Sequence, residues 1–267
     1  MVAKIHRVHM PNVGEAMVRH GSGVPYAAAS LVKPSGYDVG DIMHLGGKAF
    51  ALAKTGGAIA STGLGVKNGL FQGLAFASVY AAAAIGDKTV TMSIAATDGA
   101  LGTGAIAVDE FKGGEIIFFT SGADTPQRRG IAGNTACIAG GGVQVTFTLD
   151  SPLTLALTES DSGEAMQNIW SYIVQDNVIG HPVVGVPMVT AAAALYYMWL
   201  QVWGPCFASP QAACGIAGAT GLYWRHDGSL DVENADAYVS DQYAGFVLAE
   251  TSEHTQAAPF IMLQISP

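Results

Sequence analysis

Charge is what this 267-residue chain has least of. Asp, Glu, Lys and Arg make up 12% of it, about half the usual share of roughly 25%. Between Asp176 and Arg225 no residue carries a permanent charge. Twelve Lys and Arg stand against 21 Asp and Glu, a net charge of −9. No basic run is long enough to follow a phosphate backbone, so direct nucleic-acid binding is not expected. Cysteine is scarce as well. Cys137, Cys206 and Cys214 are odd in number and form no C-x-x-C. They read as buried free thiols in a reducing compartment rather than a disulfide framework or a zinc site. The opening "MVAKIHRVHMPNVGEAMVRHG" lacks an uninterrupted apolar stretch and a cleavage site, so no secretory signal is expected.

Motifs that carry chemistry are missing too. There is no G-x-x-x-x-G-K-[ST] phosphate cradle and no G-x-S-x-G. "GLGVKNG" at 63–69 misses the dinucleotide fingerprint by one residue, has no βαβ setting, and reads as a hairpin turn. "SDSGE" at 160–164 holds only a fragment of a serine-protease signature. His6 and His9 have no evident third ligand and read as solvated arm residues. In "WRHDG" at 224–228, Asp227-Gly228 reads as a hairpin corner with His226 beside it. Asp109, Glu110, Glu159, Asp161 and Glu164 fall near strand ends, and nothing pairs them across a cleft as glycoside hydrolysis would require. The expectation is therefore no catalytic residue, no cofactor and no metal.

What is present is glycine, at 34 residues, and alternation. In "KTVTMSIAATDG", Val90, Met92 and Ile94 point one way and Thr89, Thr91 and Ser93 the other, with Asp98-Gly99 as a turn. Val143, Val145, Phe147 and Leu149 alternate with Gln144, Thr146 and Thr148. After the Asp150-Ser151-Pro152 corner, Leu153, Leu155 and Leu157 repeat the pattern. Threonine fits a pleated, half-buried surface, so these segments predict antiparallel β-structure with one wet face. Helix signals are thin. They amount to "GEAMQNIWSYI", with Ser162 near its N-cap, and an alanine-rich stretch at 69–86 that suits a strand equally well. The fold class expected is mainly β, with antiparallel sandwich or barrel-like units, an extended N-terminal arm and little helix. The divisions are an arm at 1–40 (with a few edge strands as the alternative), a β-rich domain at 41–170 and a second at 171–267. The last two could equally form one continuous unit.

"ALYYMWLQVWGPC", residues 194–206, is the densest aromatic stretch. As a membrane helix, 183–203 would be interrupted by Gly185 and Pro187 and would lack flanking Lys or Arg, so no membrane association is expected. As a strand, it sets Tyr196, Met198, Leu200 and Val202 against Tyr197, Trp199, Gln201 and Trp203. Both faces are bulky and call for cover. Core is the commoner fate for such residues and an interface the alternative. On the interface reading Tyr196, Tyr197, Trp199 and Trp203, with His6 and Met10 of the arm, form an assembly surface.

"YYMWLQVWGPC" resembles the Y-[YF]-x-W-[LV]-Q-x-x-G-P stretch of virion structural proteins from tailed double-stranded DNA phages. The block "GGEIIFFTSGADTPQRRGIAGNTACIAGGGVQVTFTLDSPLTLAL" is similar to the same proteins through Gly113, Gly114, Ile131, Gly133, Asn134, Asp150 and Pro152. The resemblance runs in ordered pieces over residues 85–265. It implies an assembly part without catalysis, foremost a capsid decoration or cement protein, assembled in the host bacterial cytoplasm and carried on the capsid surface. Implied partners are the major capsid protein and copies of this chain, by analogy as trimers. A major capsid or tail structural protein is an alternative, although no long charged spine helix is legible. A carbohydrate- or receptor-binding virion module would present Trp199, Trp203 or Trp224 to solvent. An enzyme would need a cleft with paired carboxylates or histidine.

Overall fold

A computed structural model describes residues 25–70, 73–99, 101–120, 126–138, 144–211, 214, 220–233, 239–248 and 260–265. Every helix or strand among them is a β-strand. In chain order these are β1 (Ile42–Leu45), β2 (Lys48–Lys54), β3 (Val66–Asn68), β4 (Leu74–Ser78), β5 (Thr89–Ser93) and β6 (Glu115–Phe119). Then come β7 (Gln127–Asn134), β8 (Gln144–Leu149), β9 (Ser162–Met166), β10 (Ile173–Val174) and β11 (Val183–Pro187). The last are β12 (Tyr197–Phe207), β13 (Gly221–Arg225), β14 (Leu230–Asp231), β15 (Val239–Val247) and β16 (Phe260–Gln264). The chain forms two compact units, residues 70–169 and a discontinuous one made of 1–69 with 170–267. Residues 41–69, expected with the segment up to 170, instead join the sheet of the C-terminal residues, because β2 pairs along β12.

Residues 70–169, called the inner unit because they are inserted between the two sequence segments of the other (outer) unit, form an antiparallel sheet in the order β4-β9-β6-β7-β8-β5. Its edges meet, since Val79 after β4 bridges Met92 of β5, and the sheet curls round its own core. Val90, Met92, Val145, Phe147 and Leu149 all point inward, as their alternation requires. Thr91 and Thr146 meet across the outer face through hydroxyls 2.9 Å apart. Two local expectations fail. The proposed helix at 163–173 begins instead as strand β9, hydrogen-bonded to β4 on one side and β6 on the other. A segment with Gly163 and Ala165 inward gains more from two ladders than from isolated helical turns. Leu155 is exposed, not inward. Gln127 reaches across to accept from the N–H groups of Thr154 and Leu155, which holds residues 153–157 as a loop.

The outer unit is a ten-stranded antiparallel sheet. Its order is β10-β3-β11-β12-β16-β15-β13-β14, with β2 also on β12 and β1 on β2. "GLGVKNG" supplies β3 rather than a hairpin turn. Asp227-Gly228 does turn a hairpin, between β13 and β14. Strand β12 organises this sheet. Its first half pairs with β2 from Tyr197↔Lys54 to Gln201↔Phe50, then the register shifts so that Trp203 faces Ala49. Its second half pairs with β16, from Trp203↔Gln264 to Phe207↔Phe260. The shift is a β-bulge. Gln201, buried beside it, donates its amide N–H groups to the carbonyls of Trp203, Gly204 and Pro205 at 3.0, 3.1 and 2.9 Å. Gly204 sits at φ +94°, where a Cβ would stand 2.5 Å from the Gly47 carbonyl oxygen. The run Q-x-x-G-P is thus one device, an extra residue closed by a side-chain amide and made possible by glycine.

A bulge reverses which residues point inward. Before it, Tyr197 and Trp199 share a face with Phe50, Leu52 and Met43. After it, Trp203 moves to the opposite face beside Ala49, Ala51 and Val202. Cys206 now points inward, to Ile261, Leu263, Leu222 and Trp224. The expected grouping of Trp203 with Tyr197 and Trp199 is corrected by this one extra residue.

Replacing Gln201 with Leu leaves three carbonyls, that of Gly204 buried and the other two part-buried, without this donor. The expected loss is about 2–4 kcal/mol, read as a lower denaturant midpoint. Gln144→Leu, on an exposed position of β8, should stay within about 0.5 kcal/mol.

Candidate functional site

The face that the bulge turns outward is the most unusual surface of the outer unit. On β12 it carries Trp203, Pro205 and Phe207, and on β16 Phe260, Met262 and Gln264. On β15 it carries Phe246, opposite Met262, then Leu248, whose N–H donates to the Phe260 carbonyl at 2.9 Å. A second bulge, at Gly245, brings Tyr243 opposite Tyr223 of β13, and their rings meet edge-on at 5.5 Å. Gly245 lies at φ +143°, with room for no Cβ because the Met262 carbonyl oxygen would be 1.9 Å away. Phe260 is 64% exposed, Leu248 45%, Phe207 43%, Tyr243 40% and Phe246 36%. An antiparallel sheet with one solvated face ordinarily puts polar residues there. Here four adjacent strands put aromatic and aliphatic groups there, and contiguous exposed patches of this kind mark interaction sites.

The residues singled out from the sequence are distributed differently. Trp199 is 2% exposed and Trp224 0%. Both are packed inside this chain, so neither waits for a partner. Part of the expected arm provides the cover. Ser30 exchanges two backbone hydrogen bonds with Tyr197 at 3.0 and 2.7 Å. Tyr37 packs edge-on against Trp199 at 5.1 Å and Tyr26 against Phe50 at 6.1 Å. Residues 25–40, the described part of the expected extended arm, therefore dock on their own unit, and residues 1–24 lie outside the described residues. Tyr196, Tyr197 and Trp203 are half-buried. His6 and Met10 lie outside the described residues. Phe207, Phe246, Phe260 and Leu248 were not singled out. Their alternation is legible in "FVL" and "PFIML", but both faces of those strands are apolar, and only the packing tells which is inward.

The polar groups serve the fold. Five carboxylates close a turn on the N–H three residues earlier: Asp41 on Asp38, Asp87 on Ala84, Asp98 on Ala95, Glu110 on Ala107 and Asp161 on Thr158, at 2.6–2.8 Å. In four of them the residue just before the turn is buried and apolar: Ala83, Ile94, Ile106 or Leu157. Glu110 and Asp161, two of the acids noted from the sequence, are thus bound into turns. Lys67 is buried and donates to Asp176 at 3.2 Å, to the Val178 carbonyl at 2.9 Å and to the His226 carbonyl. Arg225 pairs with Asp231 at 2.7 Å in the interior. Among the described residues no group of three or more His, Cys, Asp and Glu could hold a metal ion. No helix among them is long and apolar enough to cross a membrane, and residues 183–203 contain β11 and the first half of β12. Cys137, Cys206 and Cys214 are buried and unbridged. Burial pushes the Cys206 thiol up to about 12, although Lys48 opposes it. Burial, with Asp231 adding to it, pushes Cys214 up to about 11. Protonated thiols of this kind are poor nucleophiles and poor ligands.

Comparison with protein-family models, with curated proteins and with solved structures gives no match in any of the three.

The raised thiols fix a pH dependence. The folded state holds the two protons more tightly than the unfolded chain, so their contribution is complete below the ordinary thiol value of 9.0 and is lost as pH rises toward about 11 and 12. Unfolding free energy should fall across that window by up to about 1.4 kcal/mol per pH unit per thiol, and Cys206→Ala should flatten the decline. For the outward face, Phe207→Ser with Phe260→Ser should leave the unfolding midpoint nearly unchanged, within about 1 kcal/mol. The same pair should lower the binding of an apolar dye to the native protein.

Proposed function

We propose that this chain is a non-catalytic structural component of a tailed double-stranded DNA phage virion, foremost a capsid decoration protein that stabilises the head. The observation that carries this reading is the outward apolar face. It spans four adjacent strands, with five large side chains between about a third and two thirds exposed. Completing the burial of one such half-exposed side chain is worth about 1 kcal/mol. A neighbour that covered the face would gain on the order of 5 kcal/mol from these five side chains, at the low end of the roughly 4–15 kcal/mol cost of association. Low charge across residues 177–224 agrees with a protein of close contacts. The resemblance of Gln201, Gly204 and Pro205 to the phage stretch gains a physical reason, because those three positions build the bulge that creates the face.

The rival reading, a sugar-binding virion module, expects tryptophans ready to stack on a ring. Trp199 and Trp224 are enclosed in the core, Trp203 lies on the outward face but half-buried against Ala49, Ala51 and Val202, and the most exposed rings of that face are phenylalanine and tyrosine. Assembly is therefore preferred.

The test is to purify particles from cells that produce this chain, count its copies and locate it by electron cryomicroscopy. Hundreds of copies over the shell, with the outward face against another subunit, are expected. A single ring of copies on the tail would move the assignment to a tail component. Absence from particles would overturn the reading.

A further inference from the structure

We propose that residues 1–24 of one copy seat on the outward aromatic face of a second copy. The proposal rests on the assembly reading above and adds the occupant. Its basis is the uneven division of charge. Residues 1–24 hold Lys4, Arg7 and Arg19 against Glu15 alone, a net +2, and the rest of the chain holds nine basic and twenty acidic residues, a net −11. A short basic segment on an acidic body is attracted to any copy of that body. The chemistry of the segment also matches the face. Arg and Lys stack over Phe and Tyr rings. Met10 and Met17 offer polarizable sulfur to aromatic edges.

The path of the chain favours a neighbour. The described residues begin at Pro25, and Tyr26 rests on Phe50. Phe50 lies on the Trp199 face of the sheet, whereas Phe207 and Phe260 lie on the opposite face. Tyr26, two residues after the segment, thus lies on the side of the sheet away from the aromatic patch. Twenty-four residues reach at most about 80 Å, enough to cross to an adjacent copy. Each copy would then offer one segment and one face, a head-to-tail contact that closes into a ring or runs over a surface.

Copies carrying Met10→Cys are mixed with copies carrying Phe207→Cys and oxidised, with Thr148→Cys as the control partner on the exposed face of the inner unit. The three native thiols are buried and do not compete. The expected result is a mixed disulfide dimer with Phe207→Cys, about tenfold over the control. In parallel, sedimentation of the chain without residues 1–24 should show self-association at least about tenfold weaker, and added salt should weaken the full chain in the same direction. Three results would overturn the proposal. One is a disulfide that forms only within a Met10→Cys/Phe207→Cys double variant and never between copies. The second is self-association unchanged by the deletion. The third is no preference for Phe207→Cys over the control. Any of these in a chain still found in particles removes the occupant and leaves the assembly reading standing. A chain that neither self-associates nor enters particles removes both.

Discussion

One buried amide governs the outer unit. The Gln201 side chain gathers the carbonyls of Trp203, Gly204 and Pro205, and that grip holds an extra residue in β12. Side chains in a strand alternate, so a single extra residue exchanges the two faces for everything that follows. Without it, Phe207 would continue on the face of Trp199 and Cys206 would turn out. With it, β12 leaves β2 with its aromatics inward and joins β16 with its aromatics outward. Core and surface of the outer unit are both consequences of that reversal. Gly245 makes a comparable correction on β15, and the outward face stays continuous as far as Tyr223.

The rest of the chain is arranged to be self-sufficient. Residues 25–40 cover the Trp199 side with Tyr37 and Tyr26. The inner unit curls until its edge strands meet at Val79 and Met92, and its interior is filled by its own side chains. Glu110 and Asp161, two of the acids noted from the sequence, accept from backbone N–H groups in turns. Lys67 ties β3 to residues 176–178 and to the β13–β14 corner. Against this economy the bare aromatic face is the exception. A large apolar surface that none of the described residues covers is one that another surface can cover.

The sequence made the inner unit legible where one face is polar. Thr89, Thr91, Thr146 and Thr148 mark the wet side so clearly that Val90, Met92, Val145 and Phe147 could be placed inward from spacing alone. In the outer unit the same method fails. Strands such as "FIML" and "YMWLQVW" are apolar on both faces, and period-two alternation has no contrast to read. The bulge adds a second obstacle. It depends on three carbonyls converging on one amide, which spacing does not reveal, so Trp203 was grouped with the wrong face. The turn-closing acids could have been found. Each follows a buried or half-buried side chain by four positions, in Tyr37–Asp41, Ala83–Asp87, Ile94–Asp98, Ile106–Glu110 and Leu157–Asp161. Local propensity offers a helix at 163–173, but pairing on both sides of β9, a tertiary effect, overrides it.

The account predicts a particular split among aromatic residues: Trp199 and Trp224 permanently dry, Phe207, Phe246 and Phe260 wet until another surface arrives. Hydroxyl-radical footprinting read by mass spectrometry measures this directly. In the free, folded chain the three phenylalanines and Met262 should label readily and the two tryptophans hardly at all. In the assembled particle the phenylalanines should fall silent as well. Phenylalanines that label equally in both states, or that are already protected in the dilute monomer, would contradict it.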